Sequence, residues 1–423
     1  MSTYTADDVL FGYQFNSLAF TVPTPSLTDN TQDPPVTGRF FSGNTGFGDN
    51  IMKSSISFYF TTTETQKLTI SWGDGSFDEI DFTVGDNSIA RNQHEYTDGL
   101  GEHTIVFSFE KPKAITEIIT INVNVGDIIS EDLKKFTGLQ KIKFGQNAGI
   151  QEFPADLSSL TNLIDLEVSD SDLLKIDDSL FSLPLRKLSF VNSIDFSETA
   201  ASESLERLAE FVFLEELDFS GTKLTEFPVN FINRNRLVTL FIGRDNLFTT
   251  LPINIPTSIT SLNLEGKNPS LTSYENFDRL VNLVTLKLDE TFDNVNLAIG
   301  DELASCELLK TIEYKRDSIE TVAKTNAIVN NLFDFIVTRG YGNITTGGSD
   351  KFRDMSIRMS IGNNTNNRPS GTYQAPTGFN KNVSNGTPAN ELEKVYCLVE
   401  NYGHTWIVGD GNTNSGTQTF SPS

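Results

Sequence analysis

Catalysis needs side chains that move protons, attack as nucleophiles or hold metal ions, and they must converge in space. This 423-residue chain has few of them: three histidines, His94, His103 and His404, and two cysteines, Cys306 and Cys397. His94 and His103 fall in one stretch and His404 lies some 300 residues on. A nucleophile without a base beside it is weak, and a base without a positioned proton does nothing. No Gly-x-Ser-x-Gly elbow, phosphate-binding loop or zinc spacing occurs. Thr345-Thr346-Gly347-Gly348 is too short to cradle a phosphate, and no Lys-Ser or Lys-Thr follows it. The two cysteines fit neither a metal site nor a disulfide framework and read as small buried side chains. Carboxylate pairs such as Glu215-Glu216 are expected in a chain with 56 acidic residues. The reading is a protein that is not an enzyme, with no catalytic residues, no metal and no cofactor. Its function then lies in contact.

The charge narrows the contacts. With 32 basic and 56 acidic residues the formal net charge is −24, which repels phosphate backbones and argues against nucleic acid as a partner. No apolar run reaches the roughly 18–20 residues that cross a bilayer, so membrane insertion is not expected. Residues Met1 to Asp8 lack the basic start and apolar run of a secretion signal, which predicts folding in a cytoplasm.

The elements that position a contact surface come from a repeat. Apolar residues recur as apolar-x-x-apolar-x-apolar nine times: Ile118/Ile121/Val123, Leu139/Ile142/Phe144, Leu163/Leu166/Val168, Leu185/Leu188/Phe190, Leu214/Leu217/Phe219, Leu237/Leu240/Ile242, Ile259/Leu262/Leu264, Leu283/Leu286/Leu288 and Leu309/Ile312/Tyr314. Starts are 21 to 29 residues apart, which is the period of a leucine-rich repeat. The last two apolar residues of each copy lie on one side of a short strand, and stacked copies close a continuous core. Phe153-Pro154, Phe227-Pro228 and Leu251-Pro252 recur where the return segment begins, and proline suits such a start. Ser202 to Phe211, in the longest copy, reads as a helix. So does Ser318 to Thr338, with Asp317 or Ser318 as its cap. Phe352/Met355/Ile357 repeats the strand spacing, which predicts a tenth strand.

Ahead of the repeat, residues 51–116 read as a small β-domain. Leu68, Ile70 and Trp72 alternate, Gly73-Asp74-Gly75 turns the chain, and Phe77 to Val84 alternates again, a hairpin signal. Trp72-Gly73-Asp74-Gly75-Ser76 with His94-x-Tyr96 resembles the polycystic-kidney-disease-type (PKD-like) immunoglobulin-like sandwich, over about 55–65 residues. That resemblance implies a spacer or adhesive module without catalysis. Asp74 reads as a turn aspartate, with a cation ligand as the alternative. Residues 1–50 read as an N-terminal arm, either loosely ordered or ordering against a neighbour.

Beyond Ile361 the composition turns to Asn, Gly, Thr, Ser and Pro, so 362–423 reads as a polar C-terminal extension. It holds a helix between Pro388 and Tyr402, a short strand at Trp406-Ile-Val408, and a low-complexity tail. Pro369-Ser-Gly-Thr-Tyr-Gln-Ala-Pro-Thr-Gly-Phe379, Asn385-Gly-Thr-Pro-Ala389 and Tyr402-Gly-His404 resemble the ending of leucine-rich-repeat proteins carried by bacteriophages. The resemblance covers about 50 residues. It implies a virion protein of tail, baseplate or vertex, made in the host cytoplasm, in a homo-oligomer or symmetric assembly with other virion proteins, and touching a host-surface protein or glycan.

The fold expected is therefore an α/β repeat solenoid of parallel β rungs at 117–361, preceded by a small all-β immunoglobulin-like sandwich. The variable positions flanking the middle apolar residue line the concave face that solenoids offer to partners. Lys141, Lys143, Lys187, Phe241, Asn263, Lys287 and Glu313 are the candidate binding residues, and Phe241 is the aromatic on an otherwise polar face. The alternative reading is an intracellular or secreted bacterial leucine-rich-repeat scaffold or effector that binds a protein.

Overall fold

The computed structural model describes residues 17–23, 52–96, 102–120, 131–145, 150–153, 156–266, 270–271, 273, 275–288, 301–314, 321–344, 351–361, 365–409 and 417–422. The chain forms two compact units, Met1–Leu214 and Glu215–Ser423.

The first unit begins with β1 (Ser17–Pro23), β2 (Met52–Thr62), β3 (Gln66–Ser71), β4 (Phe77–Phe82), β5 (Gly85–Tyr96), β6 (Glu102–Phe109) and β7 (Ile115–Thr120). One antiparallel sheet has the order β1-β6-β3-β4. β2 pairs antiparallel with both β5 and β7 to start the second sheet. Phenylalanines fill the space between the sheets: Phe58 on β2 meets Phe107 on β6 at 4.7 Å, and Phe60 meets Phe109 at 5.1 Å. The expected hairpin is present, with Gly73 and Gly75 both in left-handed backbone between β3 and β4. Seven residues of the region read as an arm, β1, instead pair along β6 as a strand of the first sheet; the rest of that arm lies outside the described residues.

β7 carries the chain into the repeat. One edge pairs antiparallel with β2 and the other parallel with β8 (Lys141–Phe144). β9 (Asp165–Val168) and β10 (Lys187–Ser189) continue in parallel. Ile118 lies opposite Ile142, not opposite Leu139. The first copy is thus Ile115/Ile118/Thr120, three residues earlier than the spacing predicts, with Ile121 and Val123 outside the described residues. A polar last member, Thr120, hid it; the residue is fully buried and its hydroxyl accepts from the Gly145 amide at 3.1 Å. Short 3-10 turns at Glu131–Lys135, Leu157–Ser159 and Asp178–Ser182 return the chain. The longest copy holds α1 (Thr199–Leu205) and a 3-10 turn, Leu208–Glu210, in place of one helix from Ser202 to Phe211.

The second unit stacks β11 (Glu216–Asp218), β12 (Thr239–Phe241), β13 (Ser261–Asn263), β14 (Thr285–Leu288) and β15 (Thr311–Tyr314) in parallel, with Leu217, Leu240, Leu262, Leu286 and Ile312 in one buried register. α2 (Val322–Phe333) runs on into a π-type turn, Asp334–Thr338, and is capped by Thr321, whose hydroxyl accepts from the Lys324 amide at 3.3 Å. Asp317 and Ser318, the caps expected, lie outside the described residues. The tenth strand exists as β16 (Ser356–Ser360), but Ile357, not Met355, meets Ile312. A shift of two residues keeps the same side chains inward.

The region read as a polar extension belongs to this unit. A hairpin of β17 (Thr377–Asn380) and β18 (Ser384–Thr387) precedes α3 (Glu391–Tyr402). β19 (Thr405–Gly409) then pairs parallel with β16, and β20 (Gln418–Phe420) pairs antiparallel with β19. Trp406 and Val408 of β19, the short strand expected there, are fully buried, and the low-complexity tail beyond it supplies an edge strand, β20. Parallel rungs joined by 3-10 returns are the architecture of a leucine-rich repeat.

One device recurs at the ends of five rungs. The second residue after the last apolar position takes left-handed backbone at Asp170, Asn192, Gly221, Arg244 and Gly266. A buried polar side chain then ties the turn to its neighbour. Ser193 donates to the Val168 carbonyl at 3.0 Å and accepts from the Ser171 amide at 3.2 Å. Asn246 does the same work between Phe219 and Gly243.

Candidate binding face

Three places collect polar chemistry. The first is in the sandwich. Trp72 stacks on His94 with ring centroids 4.8 Å apart. His94 Nε2 lies 2.6 Å from Asp74 Oδ2 and 3.3 Å from Ser76 Oγ. Serine, histidine and aspartate meet, yet one ring nitrogen serves both partners. A relay needs a different nitrogen for each, so this cluster is a clamp on the turn. The Ser76 amide donates to Asp74 Oδ1 at 2.9 Å and its hydroxyl at 2.6 Å. Burial opposes ionisation of Asp74, but the hydrogen bonds from Ser76 and His94 outweigh it and hold the carboxyl at about 2. Asp74 is a turn residue, and its bonds leave the cation reading without support.

A depressed carboxyl contributes stability that is present above its unfolded value, near 3.8, and is lost as pH falls through the folded one. Asp74 accordingly adds about 1–2 kcal/mol near neutrality, after allowance for solvent access. In the Asp74→Asn variant the stability difference from wild type should shrink between about pH 4 and pH 2. Urea midpoints across that range measure it; a constant difference would show the clamp to be indifferent to the carboxylate.

The second place is the strand face of the first unit. Parallel strands in register bring equivalent positions to about 4.8 Å from one another, and opposite charges meet there. Glu117, Lys141, Asp165 and Lys187 form one row in alternating sign. Lys141 reaches Asp165 at 3.3 Å, while Lys143 and Lys187 reach Glu167 at 2.7 and 2.6 Å. Burial acts against the Glu167 charge, but the two ammonium groups keep its carboxyl below the usual range. Burial raises that of Asp165 despite Lys141, and among the described residues its Oδ1 has no hydrogen-bond partner. The structure thus joins the candidates Lys141, Lys143 and Lys187 to acids of their own face.

The third place is the strand face of the second unit. One row is Glu216, Thr239, Ser261, Thr285, Thr311, Ser356 and Thr405. The next is Asp218, Phe241, Asn263, Lys287, Glu313, Arg358 and Ile407. Phe241 is half-buried on this outer side. Lys287 pairs with Glu313 at 3.3 Å. Asn263 is turned to a local task, its Oδ1 accepting from the Glu265 amide at 2.7 Å. Asp218, its carboxyl raised by burial, accepts from the Ser220 amide at 2.9 Å. Ser356 and Arg358 join the face on β16, the expected tenth strand in a shifted register, and Thr405 joins it because the C-terminal region adds β19 as a further rung.

The remaining reactive groups are buried and held apart. Burial pushes the thiols of Cys306 and Cys397 up to about 12. His404 is fully buried, with Nε2 2.7 Å from the Phe352 carbonyl oxygen, and burial lowers it to about 4. The His103 side chain lies outside the described residues. Among the described residues no group of His, Cys, Asp or Glu is placed to hold a metal ion, and no helix is long and apolar enough to cross a membrane.

No family model and no curated protein matches the chain. Among solved structures it is similar to an internalin from Listeria monocytogenes, at 16% identity over 61% of this chain and 72% of that one, with a TM-score of 0.39.

Proposed function

We propose that the chain is a non-enzymatic structural and adhesion component of a bacteriophage particle, which binds through the strand faces of its repeat. The observation that carries the binding half is the strand face of the second unit. Its row from Glu216 to Thr405 is polar on every rung, and half-buried Phe241 stands in the row beside it. Leucine-rich repeats present such faces to partners. The assignment to a particle rests on the resemblance of the C-terminal segments, and those segments act as one folded piece. Tyr373 packs on Tyr396 and Phe420, and Asn385 donates to the Tyr402 hydroxyl at 3.0 Å. The PKD-like reading of residues 51–116 fits the same role as a spacer.

Purified particles should contain the chain at symmetric copy number by quantitative mass spectrometry. Phe241→Ala should weaken attachment to host cells by at least about tenfold, the range for a central aromatic anchor. Particles that lack the chain would remove the virion half, and unchanged attachment would remove the face.

A further inference from the structure

Six consecutive rungs of the second unit carry a hydroxyl at one position: Thr239, Ser261, Thr285, Thr311, Ser356 and Thr405. All six are partly exposed. Among the described residues none of these hydroxyls bonds to another protein group. Buried or half-buried hydroxyls elsewhere in the chain can be engaged, as where Thr222 donates to Phe219, Ser258 to Leu237 and Thr325 to Asn367. Strand propensity accounts for threonine on a rung but not for serine, so what Ser261 and Ser356 share with the others is the hydroxyl. The row repeats every ~4.8 Å and runs for about 24 Å.

Charge beside the row cancels locally. Lys287 is paired with Glu313, and Arg358 lies opposite Glu313 on the next rung. On a chain of net charge −24, an anionic polymer gains nothing from this face. A neutral ligand that both donates and accepts fits it, because each hydroxyl does both.

We propose that this row binds a linear, neutral, 1,4-linked polysaccharide lying across the strands. The proposal rests on the reading of the strand face as the binding surface and names its ligand class. A 1,4-linked sugar ring advances by about one strand spacing, so successive rings keep step with successive hydroxyls. An extended peptide advances about 3.3 Å per residue and falls out of step. Phe241 offers a ring to the apolar face of a sugar at the β12 end.

The test uses the full chain on an array of 1,4-linked hexasaccharides of glucose, mannose, galactose, xylose and N-acetylglucosamine, with a 1,6-linked glucan and polyglutamate as controls. At least one linear neutral hexasaccharide should bind and both controls should not. The double variant Thr285→Val, Thr311→Val should lose at least about tenfold in affinity, since two hydroxyls with polar partners are removed. It should melt with wild type, because among the described residues neither hydroxyl has a partner in the protein. Failure of every neutral hexasaccharide, or unchanged binding by the double variant, overturns the proposal. If Phe241→Ala still weakens cell attachment in that case, the face stands and only the ligand class falls.

Discussion

The Gly243→Ala chain should lose about 3 kcal/mol or more of stability, the cost of forcing atoms into a rigid, filled space. A Cβ at Gly243 would fall inside the envelope of the Glu265 carbonyl oxygen, and within 2.7 Å of the Glu265 carbonyl carbon and 2.8 Å of its amide nitrogen. All three are backbone atoms, so no side chain can rotate away. The Glu265 carbonyl is also fixed by accepting from the Arg244 amide at 3.1 Å. Relief therefore means separating β12 from β13 in the middle of the stack. Urea unfolding measures the loss. A midpoint equal to wild type would mean that rungs slide apart freely and that the tight register described here is wrong.

Asn246→Ala should cost about as much by a different route. Asn246 is fully buried. Its Nδ2 donates to the carbonyls of Phe219, Ile242 and Gly243 at 3.0, 2.9 and 3.1 Å, and its Oδ1 accepts from the Leu224 amide at 2.8 Å and the Thr222 hydroxyl at 3.3 Å. Alanine strands the Leu224 amide and leaves three carbonyls short of a donor, at about 1–3 kcal/mol for each buried group without any partner. A loss of about 3–4 kcal/mol follows. Asn246→Asp keeps the shape but presents a carboxylate to three carbonyl oxygens, so it should be worse than alanine at neutral pH and should recover in acid. An aspartate variant that is as stable as wild type at pH 7 would show that these bonds do not hold the turn.

The core of the repeat was legible because each rung needs three apolar residues at fixed spacing, and Leu217, Leu240, Leu262 and Leu286 obey that need without exception. Its two ends were not. At the start, Thr120 replaces the last apolar residue and satisfies its hydroxyl with the Gly145 amide, so a pattern of apolar types skips it. At the other end, the chain from Tyr314 to Ser356 contains α2 before the next rung forms. That distance breaks the period, so the strand at Phe352/Met355/Ile357 was expected two residues out of register and the short strand at Trp406 was not expected to be a further rung. Hydrogen bonding among polar side chains disguised the rest: Gln374 to Glu393 at 2.9 Å and Asn401 to Asn385 at 2.8 Å hold a segment whose composition looks unstructured. On the faces, sequence alone names the residues but not their neighbours. Lys187 meets Glu167 only because β10 lies in register with β9.

β7 has both backbone edges engaged, antiparallel on one side and parallel on the other. The sandwich and the first repeats therefore share a strand where a tether between them would otherwise stand. A pull on the sandwich reaches β8 sideways, through the row of amide-to-carbonyl bonds along β7, and many such bonds must shear together before either part yields. The N-terminal sheets and the first rungs are therefore joined along a shared strand and not through a tether.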